Sequence, residues 1–387
     1  MRLPRKRVVF LVLVVLLALG GWAAIPYLRA ASLVVRMAGL HGPSLDRLAS
    51  FQNVPVTTRD STIQARAGRM RVRIYEPETR RAHTVLLTGG VHAKGIDEPR
   101  LMKLARDLAV AGTPVVTAEI DDLLHYRITP KLTDSLEDAI LWVAADPGLA
   151  PDGRLGVFGV SFAGGLSIVA AGRPRVAPHV AYVVSFGGHG SLPDVVRFLC
   201  TGVQPDGTKR APHEYSLVVT LMNTAEEVVP ADQVAPLRAA IMSNMQAQHL
   251  AMVDQKAAAE EFKRTKVMTA ALPEPARTLM SLANERKVAE LGPMLLPHTS
   301  GFTGDPALSP ANHPTVTAPV FLLHGADDNV VPAIESRRLA AALAGKAPVH
   351  LLVTSLITHA EVDHPPTAGE VWQMIRFWRA VGAAGAL

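Results

Sequence analysis

The sequence predicts an α/β fold built on a mostly parallel, doubly wound sheet, and three observations carry that reading. Strand-like apolar runs recur near Val85, Val115, Leu155, Val180, Val320 and Leu351. Helical patterns separate them over 100–109, 133–145, 166–171, 335–344 and 368–381, and such alternation needs crossover helices that cover both faces of the sheet. The alternation stops between Gly190 and Thr317, where 232–282 are rich in Ala, Met, Gln, Glu and Lys and poor in β-branched runs, which predicts a helical insertion.

Taken in order, the chain opens with Arg2, Arg5, Lys6 and Arg7 ahead of an uncharged run from Val8 to Ile25. At about 18 residues that run just reaches the length needed to cross a bilayer as a helix. We expect a single-pass membrane anchor, and the basic cluster before it keeps the N-terminus in the cytoplasm and the rest of the chain outside, periplasmic if the source is bacterial. The alternative is a secreted protein cleaved near Gly21-Trp22-Ala23, the only passable small-residue site. Beyond Pro26, Arg29 and Arg36 share a face while Leu28, Leu33, Val34, Val35, Met37 and Leu40 are apolar, so this segment either lies on the membrane surface or packs on the globular domain.

Val54 to Tyr75 reads as leading strands, and the alternation of Met70 to Tyr75 suggests a half-buried antiparallel edge. The expected organisation is an anchor and linker over 1–44, a first core part over 45–189, a helical insertion over 190–317 and a second core part over 318–387. The net charge of +5 resides mostly in the four basic residues before the anchor. The remainder is near neutral, so the charge gives no support for nucleic-acid binding, which needs a concentrated basic face, and no nucleic-acid partner is expected. One cysteine, Cys200, excludes an intramolecular disulfide and a thiolate zinc site, and no His/carboxylate grouping has metal-ligand spacing.

The densest chemical signal is Leu155-Gly156-Val157-Phe158-Gly159-Val160-Ser161-Phe162-Ala163-Gly164-Gly165, a buried-strand run, a Gly-x-Ser turn and a helix start. Strand and helix backbones nearly touch at such a turn, so only very small residues fit two places either side of the serine. Gly159 and Ala163 fill those places. A serine hydroxyl becomes nucleophilic when a histidine takes its proton and a carboxylate orients that histidine. The stretch Val320 to Pro332 is a second buried-strand run ending in a polar turn that holds Asp327-Asp328, and Val349 to Val353 is a third run, ending in Thr358-His359. Asp328 is the expected acid and His359 the expected base, 31 positions apart, which leaves room for one helix and one strand.

From Val85 to about Trp378 the sequence resembles the α/β-hydrolase superfamily. The order Ser, Asp, His is the order of that superfamily's triad, and His324-Gly325-x-x-Asp328-x-x-Val331-Pro332 is similar to its acid-bearing motif. Two departures stand out. Ala163 replaces the last glycine of Gly-x-Ser-x-Gly, and Thr88-Gly89-Gly90 replaces the usual His-Gly after the third strand. The resemblance implies an oxyanion hole from the amides of Phe162 and of either Gly90 or Val91, and it identifies the insertion as the superfamily's cap. Its methionines, Met242, Met245, Met252, Met268 and Met280, face an apolar substrate or form the cap's own core.

Competing residues read as structural. Asp327 is a turn or solvated carboxylate, His364 a reserve base before Pro365-Pro366, His92 and His189 cleft or packing histidines, and His324 a packed strand-end residue. These expectations converge on a membrane-anchored serine hydrolase that cleaves a small-molecule or lipid-like carboxylic ester, less readily an amide, through an acyl-enzyme and without a cofactor. The alternatives are a peptidase of the oligopeptidase-like branch and a non-catalytic hydrolase-fold binding module of the envelope.

Overall fold

A computed structural model describes residues 5–213, 215–251, 253–312, 314–357 and 367–386, with side chains from residue 20 onward. Its centre is an eight-stranded sheet in the order β1-β2-β4-β3-β5-β6-β7-β8. β1 (Val56–Ala65) and β2 (Gly68–Pro77) form an antiparallel hairpin, and β2 also runs antiparallel to β4 (Val115–Ala118). From there β3 (Val85–Thr88), β5 (Leu155–Val160), β6 (Val180–Phe186), β7 (Val320–Gly325) and β8 (Val349–Thr354) are parallel to their neighbours. The central strands are almost wholly buried and rich in Val, Leu and Phe because helices cover both of their faces. β2 lies inside the sheet and β1 is the edge, a correction to the expected position of Met70–Tyr75. Alternating burial reads the same for an edge strand and for an inner strand with one open face.

The helices follow in chain order. α1 (Arg5–Met37) and α2 (Pro43–Ala49) precede the sheet. Among the described residues no helix is long and apolar enough to cross a membrane; most of the run Val8–Ile25 has side chains outside the described part. The second half of α1 packs on the domain, since Ala30, Ala31, Leu33 and Val35 are buried and Arg36 donates to the Ala49 carbonyl and to Asn53. From Ala30 onward that decides between the two readings of this segment in favour of packing.

α3 (Pro99–Val110), the short α4 (Asp121–Leu124), α5 (Lys131–Ala145) and α6 (Phe162–Ala171) connect the first strands. Between β6 and β7 the chain is helical: α7 (Leu192–Thr201), α8 (Ser216–Val228), α9 (Ala231–Ala251), α10 (Gln255–Ala271), α11 (Ala276–Asn284), α12 (Val288–Leu295) and the single turn α13 (Ser300–Thr303). α14 (Ile334–Leu343) and α15 (Ala368–Ala384) complete the fold.

These inserted helices dock on loops at the carboxyl ends of the strands. Asn223 of α8 bridges the backbone of Tyr126 and Ile128, His249 of α9 meets His92 after β3, and the His213 amide donates to the Asn329 carbonyl after β7. Met245 and Met280 are buried and Met242 and Met268 pack against the same core. Those four methionines are therefore core residues, and Met252 lies outside the described residues.

Candidate active site

Ser161 sits between β5 and α6 with φ 55° and ψ −133°, a conformation that L-residues adopt only under strain. Two backbone bonds hold it there. Its amide donates to the Phe186 carbonyl of β6 at 2.6 Å, and its carbonyl accepts from the Gly164 amide at 2.8 Å. The turn is as tight as the sequence demands. A Cβ on Gly159 would lie 2.2 Å from the Ala163 carbonyl oxygen, and one on Gly164 2.5 Å from Ser185 Oγ. Ala163 is accommodated although it is fully buried, so loss of the motif's last glycine does not open the elbow.

The loop after β3 presses on the serine from the other side. A Cβ on Gly90 would stand 2.9 Å from Ser161 Cβ and 3.2 Å from its Oγ. The Gly90 backbone thus lies directly against the serine side chain. Phe162, the other expected oxyanion residue, begins α6 and stacks its ring on His189 at 4.8 Å between centroids.

Asp328 follows β7 and is 1% exposed. Its Oδ1 accepts the amides of Val330 at 2.8 Å and Val331 at 2.9 Å, which fixes the orientation of the carboxylate, and its Oδ2 lies 3.4 Å from His324 Nε2. Gly187, directly after the carbonyl that holds Ser161, has φ 64°, and a Cβ there would meet Asp328 Oδ2 at 3.6 Å. The serine turn and the acid turn therefore share β6 as a common support. Asp327 points away and pairs with Arg210 at 2.7 Å, as adjacent residues in a turn must diverge. His359 and His364 both lie outside the described residues. β8, which leads toward them, ends with Thr354 opposite Gly325, beside the acid turn.

Three of the competing histidines are held by neighbouring groups. His189 Nε2 donates to the Leu308 carbonyl at 2.7 Å, and complete burial pushes its pKa down to about 4. His324 is fully buried; its Nε2 faces the Val331 carbonyl at 2.7 Å and its Nδ1 the Ser336 hydroxyl at 2.6 Å. It braces the acid turn from beneath. His92 Nε2 lies 3.1 Å from His249 Nδ1, and burial first, then His249, lowers its pKa to about 4. Sequence reasoning missed this pair because its members stand 157 positions apart. It also missed Tyr215, whose hydroxyl burial pushes up, with Asp328 adding to the shift. Among the described residues no group of His, Cys, Asp and Glu is arranged to hold a metal.

Strand order, the strained serine between β5 and its helix, and the acid turn after β7 define an α/β-hydrolase fold. No protein-family model matches the sequence, and no curated protein matches it. Solved structures similar to it include an esterase of Pyrobaculum calidifontis, at 16% identity over 92% of this chain and 88% of that one, TM-score 0.44. A brefeldin A esterase, described as a bacterial homologue of human hormone sensitive lipase, aligns at 14% identity over 92% and 82%, TM-score 0.44. The acylaminoacyl peptidase of Pyrococcus horikoshii aligns at 12% identity over 86% of this chain and 41% of that one, TM-score 0.45. The fold assignment rests on the topology and the serine turn rather than on these distant alignments.

Proposed function

We propose that the protein is a serine hydrolase that cleaves a carboxylic ester through an acyl-enzyme. The observation that carries this reading is Ser161 itself, held at φ 55° with the Gly90 backbone against its side chain. Strain at this serine, enforced by neighbouring glycines that admit no Cβ, fits a nucleophile. Ser161 Oγ attacks the ester carbonyl, His359 takes the hydroxyl proton and returns it to the leaving alcohol, and Asp328 holds His359 in the required tautomer. The amides of Phe162 and of Gly90 or Val91 receive the oxyanion. Water then enters by the same proton relay and releases the acid, so no cofactor takes part. The helices between β6 and β7 form a cap over the strand ends.

The N-terminal run Val8–Ile25, preceded by four basic residues, supports retention at a membrane with the catalytic domain on the far side. A lipid-like ester fits that location. The test is hydrolysis of p-nitrophenyl esters of rising acyl length by the wild type and by Ser161→Ala. The wild type turns over with a length optimum, and the variant loses roughly four to six powers of ten. Equal turnover by both removes Ser161 from the mechanism.

A further inference from the structure

We propose that the catalytic domain rests directly on a phospholipid surface through an aromatic and basic patch shared by α1 and α15; this builds on the membrane anchoring proposed above. Between residues 20 and 28 the helix α1 carries no charge, yet Trp22 is 74% and Leu28 40% exposed. Burial begins only at Ala30. An apolar helical stretch uncovered by its own protein is one that meets another apolar medium.

α15 supplies the second half of the patch. Trp372 is 50% exposed and stacks on Tyr27 with ring centroids 5.5 Å apart and planes within 9°. The Arg379 guanidinium lies 5.1 Å from the Tyr27 ring centre. Trp372, Arg376 and Arg379 stand at helical positions i, i+4 and i+7, on one face of α15.

The dimensions select a lipid surface as the occupant. Trp22 is five residues before Tyr27, about 7.5 Å along a helix that rises ~1.5 Å per residue. The headgroup layer of one leaflet is of similar depth, roughly 5–7 Å. Trp22, Tyr27 and Trp372 therefore fall within a single interfacial layer at the end of the apolar run, where amphipathic rings settle. Arg376 and Arg379 meet the phosphates there.

The experiment reconstitutes the full chain carrying Trp22→Phe into phosphatidylcholine–phosphatidylglycerol vesicles and reads tryptophan fluorescence with lipids brominated near the headgroup. Trp22→Phe/Trp372→Phe in the same vesicles gives the contribution of Trp142 and Trp378. We expect brominated lipid to quench most of the emission that the double variant lacks. Vesicle-bound single and double variants with equal quenching would overturn the proposal, and a cross-linked dimer joined at this patch would assign it to a second copy of the chain. Failure of the full chain to float with vesicles would overturn the anchoring reading itself and this inference with it. Soluble-ester hydrolysis unchanged in the Trp372 variants certifies their fold and keeps the outcome independent of catalysis.

Discussion

Gly90→Ala isolates the contact between the β3 loop and the serine. Gly90 does not occupy the left-handed region, so a methyl adds no backbone strain, and the atoms nearest to it are Ser161 Cβ at 2.9 Å, Ser161 Oγ at 3.2 Å and the Val160 carbonyl at 3.5 Å. Carbon atoms rest at about 3.5–4.0 Å. Loop and serine must therefore separate by roughly 0.6–1 Å, and a displacement of about 1 Å at a reacting centre costs on the order of 10²-fold in rate, near 3 kcal/mol. The expected result is a kcat/KM for a p-nitrophenyl ester reduced about a hundredfold, a labelling rate with a fluorophosphonate reduced in parallel, and a melting temperature within a few degrees of wild type. A well-folded Gly90→Ala protein with kcat/KM within threefold of wild type would refute the placement of this loop at the reacting centre.

Relief of strain gives a second, independent reading of Ser161. Ser161→Gly should melt higher than Ser161→Ala by about 1 kcal/mol, because only glycine is at ease at φ 55° and ψ −133°, while both variants are inactive; calorimetry on the pair checks this, and identical melting curves contradict it. In the loop after β8, His359→Ala should cost about as much activity as loss of Ser161 and His364→Ala little; the reverse ranking in steady-state assays would move the base to His364. Acid should weaken the fold. His189 holds a pKa of about 4 against 6.5, so the unfolded chain takes up its proton first, and stability present above pH 6.5 falls as pH drops toward 4, by about 3 kcal/mol from this residue. Urea unfolding at pH 7 and pH 4.5 measures it, and His189→Asn should show a shallower loss across that interval.

Particular residues explain what could be read from the sequence. Gly159, Ser161 and Gly164 announce their turn because only residues without bulk fit where β5, α6 and β6 crowd together. Asp328 was separable from Asp327 by register alone, and the structure turns one inward onto two amides and the other outward to Arg210. The inner position of β2 was not legible, because hydrophobic alternation reports how many faces are covered and not how many neighbours a strand has. Neither was the His92–His249 contact, which depends on how α9 settles over the β3 loop. Packing of α1 beyond Ala30 was one of two readings that the sequence left open, since its apolar residues suit a lipid surface and a protein core alike.

The central claim is that Ser161 is the nucleophile of an acyl transfer, and covalent labelling tests it most directly. The native protein is treated with a fluorophosphonate, digested and mapped by mass spectrometry. The account predicts one phosphonyl adduct per chain on Ser161, absent from Ser161→Ala and from heat-unfolded protein. An adduct on another residue, or a folded wild type that takes up no label, would contradict it.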